Sequence, residues 1–313
     1  MAKLRVLSGC VLPVVAGCLG CLLVVCSPPT WADDDNKHGA VDTPRRVVSI
    51  DGSITEIIYQ LGAQDRLVAV DTTSRFPKAA TELPDVGYMR QLSAEGILSM
   101  QPDLVLTTQA AGPEVVFTQL RQAGVRIVRV DNNYSLQGVL DKITSVAEAL
   151  GKEAEGRALV QRIDSRSREL LQQIPVNDSP QATPQVMFLL GAGGRGMMAA
   201  GENTQADAML KLVGAANTMS YSGYKPVSAE GALQAAPEVV FVAQVGAAAV
   251  PTAVLQSLAM TPASQHDRIF SVDVSLMLGF GPRLPEAMQQ LMALLYPRAG
   301  QFEIARKQHA VGM

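Results

Sequence analysis

Tyr88 and Arg90 stand two residues apart in the run Gly87-Tyr88-Met89-Arg90. In an extended segment alternate side chains share a side, so a phenol and a guanidinium would face the same space. A tyrosine phenol ionises near pH 10, so its anion at neutral pH costs about 4 kcal/mol and needs a stabilising partner. A hard Lewis acid on the phenolate oxygen would supply this, and a guanidinium hydrogen bond to the same oxygen would add to it. The plainer alternative is a loop tyrosine that packs its ring on the fold beside a solvated arginine. Other chemistry is poorly provided for. The three histidines, His38, His266 and His309, are far apart in sequence, which argues against a His/carboxylate zinc or manganese site. There is no Gly-x-Ser-x-Gly elbow, and the run Gly191–Gly196 lacks the Lys-Ser/Thr of a phosphate loop. No enzyme activity is expected.

The stretch that carries Tyr88 occurs twice. Ser93-Ala94-Glu95-Gly96-Ile97-Leu98, followed by Pro102, returns as Ser228-Ala229-Glu230-Gly231-Ala232-Leu233, followed by Pro237. Gly87-Tyr88 precedes the first copy and Gly223-Tyr224 the second, with one residue fewer before the serine. Such duplication implies two equivalent lobes, each with a Gly-Tyr loop, a serine-capped helix and a buried strand. Each glutamate falls in a first helical turn, where negative charge is favoured by about 0.3–1 kcal/mol. That accounts for one of them; a matched pair in two lobes invites a further reading.

With 313 residues the chain can form two domains with real cores. Apolar residues make up 48% and charged residues 18%, which describes a globular protein. A net charge of −3 offers no electrostatic footprint for nucleic acid. Residues 1–32 read as a signal peptide: Lys3 and Arg5, an apolar run from Val6 to Cys26, then Thr30-Trp31-Ala32 as a cleavage site. Two alternatives are a lipobox, Val15-Ala16-Gly17-Cys18, with lipid on Cys18, and an uncleaved anchor. All four cysteines lie in this segment, so the mature chain would need no disulfide. The expected location is the periplasm.

Behind a loose tail at 33–44, the elements that must position Tyr88 alternate. Arg46–Ile50, Leu67–Val70, Leu104–Thr108 and Val125–Val130 read as buried strands, with helices between them. Ser53-Ile54-Thr55-Glu56 reads as a capping box. Residues 135–174 show helical spacing throughout and predict one long linking helix, interrupted at Gly151, of about 60 Å. After a polar connector the strand pattern resumes at Gln185–Leu190, Val239–Ala243 and Ile269–Val272, and Leu284–Leu295 closes the chain as a helix. The expected fold is α/β: two Rossmann-like lobes with mainly parallel sheets, at 45–134 and 175–313, joined by the long helix.

The sequence resembles the substrate-binding proteins of bacterial haem ABC transporters, of the helix-hinged class III that also serves cobalamin and ferric siderophores. The likeness runs from Arg45 to Pro297 and is most specific at Val86-Gly87-Tyr88-Met89-Arg90, at Gly201-Glu202-Asn203-Thr204-Gln205-Ala206-Asp207-Ala208 and at Tyr221-Ser222-Gly223-Tyr224-Lys225-Pro226. The resemblance implies ferric haem b as transported ligand, Tyr88 as ligand to its iron and Arg90 as support for that ligand. Cobalamin and a ferric siderophore are the alternative ligands. Tyr224 would line the opposite side, and Arg75, Arg195, Lys225 and Arg283 are candidate partners for the propionates. Some relatives stack two haems with a histidine from the second lobe; no histidine lies between Gln185 and Tyr224 here, so one haem is expected. Met197 and Met198 are expected as core filler. The resemblance also assigns Glu95 and Glu230 to docking on an inner-membrane permease with its ATPase. The binding protein itself is expected to be a monomer.

Overall fold

The computed structural model describes residues 43–175, 183–192 and 196–297. Residues 1–42, with Cys18 and the expected signal peptide, and Arg195 lie outside them.

Four parallel strands form the first sheet, in the order β2-β1-β3-β4: β1 Val47–Ser49, β2 Leu67–Val70, β3 Leu104–Thr108 and β4 Arg126–Val130. Every residue of β1 and β3 is buried, as their unbroken apolar runs require of strands covered on both faces. The covering helices are α1 Gly52–Gln60, α2 Ala94–Leu98 and α3 Glu114–Gln122. The expected capping box at Ser53 is not used. Asp51 caps α1 instead, its carboxylate accepting from the Ser53 backbone N–H at 2.9 Å. Ser53 and Glu56 are thereby released for contacts across the fold.

Residues 135–174 do not form one helix. α4 Leu136–Leu150 ends at Gly151, whose left-handed backbone (φ 64°, ψ 40°) turns the chain into α5 Glu153–Leu171. Where the two helices meet, Gly156 lies so close to Ala147 that a Cβ on it would come within 2.4 Å of the Ala147 Cβ. α4 packs on α1 and β4, while α5 packs on α4 and on α11 Leu284–Leu295. The connection to the second half is therefore α5, about 28 Å long, rather than a 60 Å strut.

The second sheet has six strands. β5 Gln185–Ala192, β9 Val239–Gln244 and β10 Ile269–Asp273 run parallel in the order β10-β9-β5, and the two-residue β7 Ala216–Asn217 also pairs parallel with β5. β6 Gly196–Ala200 folds back antiparallel on β5, and β8 Tyr224–Pro226 adds antiparallel to β6. These two strands were not predicted: β6 follows the glycine-rich run directly, and β8 is three residues long with a proline at its end. Met197 packs on the apolar layer of this sheet, the role expected of it. The remaining helices are α6 Gln205–Leu212, α7 Ala229–Ala235, α8 Thr252–Leu258, α9 Pro262–Gln265 and α10 Val274–Leu278. The core does not stop at the boundary between halves. One buried cluster runs from Val47 and Ile54 through Val139, Ile143 and Leu159 to Phe188, Met288 and Leu291.

Candidate functional site

A cavity of about 430 Å³ opens at the carboxyl ends of the first sheet. This is where open α/β sheets place their ligands. The segments that leave all four strands reach it: Asp51 and Gly52 after β1, Thr72, Thr73 and Arg75 after β2, Ala110 after β3, and Asn132 and Tyr134 after β4. Its other side belongs to the second half, with Gln205 at the start of α6 and Val274, Ser275, Leu278 and Gly279 on or just after α10.

Tyr88 and Arg90 stand together at this cavity, both among its lining residues. The loop that carries them is a turn and not the extended segment expected: the Gln91 N–H donates to the Tyr88 carbonyl at 2.7 Å. Val86, Met89 and Leu92 are buried in the first half, while Tyr88 is 43% exposed and Arg90 is exposed. Backbone bonds hold the loop on both flanks: the Thr72 N–H donates to the Gly87 carbonyl at 3.1 Å, and the Gly112 N–H to the Met89 carbonyl at 2.9 Å. Gly87 has φ 95°, a conformation that a side chain would strain. No hydrogen bond joins Tyr88 to Arg90. The Arg90 charge instead reaches the phenols of Tyr134 and Tyr224.

The propionate candidates separate. Arg75 lines the cavity and is exposed. Arg283 does not line it: its Nε and Nη2 grip the two oxygens of Glu56, the first at 2.9 Å, and its guanidinium carbon lies 3.8 Å from the Phe76 ring centroid. That fork is occupied by a carboxylate, so Arg283 is corrected from ligand partner to structural ion pair. Lys225 is exposed and stacks over the Tyr221 ring at 4.9 Å, outside the cavity lining. Tyr224 is half-buried and stands one layer back, its hydroxyl donating to the Gln205 Oε1 at 3.3 Å. Its effect on the cavity is to orient Gln205. Burial pushes the Tyr224 phenol above its ordinary range.

Several residues that shape the cavity were not legible as such. Asp71, buried, accepts from the Asp51 N–H at 3.0 Å, the Thr73 N–H at 3.1 Å, the Thr73 hydroxyl at 2.7 Å and the Ser74 hydroxyl at 2.9 Å. It ties the segment carrying Arg75 to the cap of α1. Even so, burial outweighs these bonds and raises its pKa. Lys142 on α4 is 2% exposed, and its ammonium has three acceptors: the Ser53 Oγ at 2.9 Å, the Asn132 Oδ1 at 3.3 Å and the Phe280 carbonyl at 3.2 Å. Burial lowers its pKa, against the opposing charges of Asp51 and Glu56. The Glu56 carboxyl is pushed up, by burial first, against the pull of Arg283. The available signal was position: Asp51, Asp71 and Asn132 each follow closely on a predicted parallel strand.

The repeat helices lie elsewhere. Glu95 on α2 and Glu230 on α7 are both exposed, each behind a serine cap whose hydroxyl accepts a backbone N–H, Gly96 at 3.5 Å and Gly231 at 3.1 Å. Neither lines the cavity.

Residues 47–276 match the periplasmic binding protein family. The chain belongs to that family. Membership places this binding protein in the periplasm or otherwise outside the cytoplasm. It is similar in structure to the periplasmic heme-binding protein BhuT in complex with two hemes, with a TM-score of 0.73 and 40% identity over 80% of this chain and 97% of that one. A periplasmic heme-binding protein from Pseudomonas aeruginosa gives a TM-score of 0.75 and 35% identity over 81% and 93% of the two chains. In sequence, the vitamin B12-binding protein of Vibrio parahaemolyticus is 30% identical over 199 residues, 63% of this binding protein and 70% of the relative.

Proposed function

We propose that this binding protein takes ferric haem into the cleft between its two halves and hands it to an inner-membrane ABC transporter. The observation that carries this reading is the presence of Tyr88 and Arg90 side by side at the cavity, in a chain 40% identical to a heme-binding protein. Tyr88 is the iron ligand and Arg90 the cation that steadies its phenolate. Tyrosine is an established axial ligand of haem iron. Arg75 is the cation placed to meet a propionate, and Tyr224 acts through Gln205. The halves serve as lobes, with α5 as the link. Residues 1–32 serve as an export leader cut after Ala32, Cys18 lipidation being the other route.

Titration of the purified protein with haemin, followed by absorption, tests the assignment. A one-to-one complex with a high-spin ferric, phenolate-type spectrum is expected. A free-haemin spectrum, with tight binding of cobalamin or a ferric siderophore, would assign the cleft to the other ligand class. The similarity to a vitamin B12-binding protein makes cobalamin the control to include. The titration also counts haems: a cavity of about 430 Å³ and the absence of a histidine between 185 and 224 favour one, whereas BhuT is seen with two.

Glu95 and Glu230 act in this reading as contacts to the two transmembrane subunits. Exposed ion pairs are worth up to about 1 kcal/mol each. The double variant Glu95→Ala/Glu230→Ala is therefore expected to bind haemin normally and to lower permease-dependent uptake about tenfold. Undiminished uptake would remove the docking role.

A further inference from the structure

Tyr134 sits where the chain leaves β4 and enters α4, and it lines the cavity. Tyr88 and Tyr134 are the aromatic residues among the lining side chains; Phe76, Phe280 and Tyr224 stand outside that set. The two phenols are held very differently. Tyr88 is 43% exposed on its loop. Tyr134 is half-buried and fixed on two sides. Its ring packs on Phe280, with centroids 5.4 Å apart and planes inclined by 52°. Its hydroxyl lies 3.4 Å from the Asn132 Nδ2, and the Asn132 Oδ1 in turn takes a bond from Lys142. Lys142 also bonds the carbonyl of Phe280, so ring and backing are pinned to one ammonium. Phe280 is 1% exposed and holds φ 44°, a conformation an aromatic residue keeps only where its surroundings demand it. A ring held this way offers a flat apolar wall whose ordering is already complete before a ligand arrives.

We infer that Tyr134 is a specificity residue of the cleft that recognises the ligand's macrocycle independently of its metal, as an aromatic wall for a tetrapyrrole ring. The inference rests on the haem reading and divides that site in two: Tyr88 reads the iron, Tyr134 reads the ring. Burial, reinforced by the Asp51 charge, raises the Tyr134 phenol and so keeps it neutral, although the Arg90 charge pulls the other way. A neutral phenol packs on a ring without competing for a cation as an anionic ligand would.

Metal-free protoporphyrin IX separates the two readings, because it offers the ring without the iron. Haemin and protoporphyrin IX are titrated into the wild type and into Tyr88→Phe, Tyr134→Ala, Tyr134→Leu and Tyr134→Phe, with circular dichroism to confirm the fold of each. The wild type is expected to bind both. Tyr88→Phe should lose the phenolate-type haemin spectrum and keep protoporphyrin IX. Tyr134→Ala should weaken both ligands about tenfold or more, and Tyr134→Phe should stay within about threefold of wild type, since the wall and not the hydroxyl is used. Tyr134→Leu retains apolar packing against Phe280 without a flat ring; it should follow the alanine variant, and it decides the matter if that variant does not fold. Wild-type affinity for both ligands in folded Tyr134→Leu overturns the inference while leaving the haem reading intact. Failure of the wild type to bind either ligand overturns both.

Discussion

Tyr88→Ala is expected to abolish the phenolate-type haemin spectrum and to weaken haemin binding by more than about a hundredfold, the upper end of what a supporting partner of a metal ligand costs when removed. Arg90→Ala should fall inside that supporting range, about ten- to a hundredfold, because it leaves the ligand in place and removes only what steadies its charge. Both side chains are exposed at the cavity on a loop fixed by backbone bonds at Gly87 and Met89, so neither substitution should disturb the fold. Thermal unfolding of the empty variants checks this, and a large drop in midpoint would mean that the side chains serve structure instead. A phenol must shed its proton to bind a metal as phenolate, so affinity in the wild type should fall as the pH is lowered. In Tyr88→Ala that dependence should flatten. An Arg90→Ala variant with wild-type affinity and spectrum would leave Tyr88 without its assigned support.

The second large effect concerns stability. Glu56 lies on α1 in the first half and Arg283 directly before α11 in the second, and their side chains are only 8% and 15% exposed. Removing one partner of such a pair strands the other charge, at a cost of about 3–5 kcal/mol. Glu56→Leu and Arg283→Leu should each lower stability by about that much in urea unfolding, and the double variant by clearly less than the sum of the two. Additive losses would mean that the two residues act separately. The pH dependence has a definite sign. Burial raises the Glu56 carboxyl above its ordinary value of 4.5, so the folded chain holds this proton more tightly than the unfolded chain does. Its contribution is fully present at low pH and is lost as the pH rises through the window above 4.5. The margin of the wild type over Glu56→Gln should therefore narrow as the pH climbs through that window.

How far the sequence disclosed this arrangement depended on the range of the interactions. Tyr88 and Arg90 were legible as a pair because their spacing of two residues is local, although the backbone there is a turn in which the buried Val86, Met89 and Leu92 recur at every third position. β1 to β4 and α11 were legible for the same reason, from unbroken apolar runs and helical spacing. Ser53 and Glu56 satisfied a local capping rule but were recruited over long distances, Ser53 by Lys142 and Glu56 by Arg283, while Asp51, closer to the turn, took the cap. The long helix was misjudged because helical spacing continues on both sides of Gly151, whereas its left-handed backbone redirects the axis. Lys142 looks like any solvated lysine on an amphipathic helix. Only its partners, 89 and 138 residues away for Ser53 and Phe280, show otherwise. Tyr134 lies in a polar turn without periodicity, and its ring finds Phe280 only once both halves are assembled.

The bond from Lys142 ends on the main-chain oxygen of Phe280, not on a side chain. Every amino acid carries that oxygen, so side-chain replacement at the receiving end does not by itself delete the acceptor. The wall formed by Val274, Ser275 and Leu278 can then change its side chains while the Lys142 bond, together with the Glu56–Arg283 pair, keeps its distance from the opposite wall. Spacing and chemical preference are thereby encoded at separate positions.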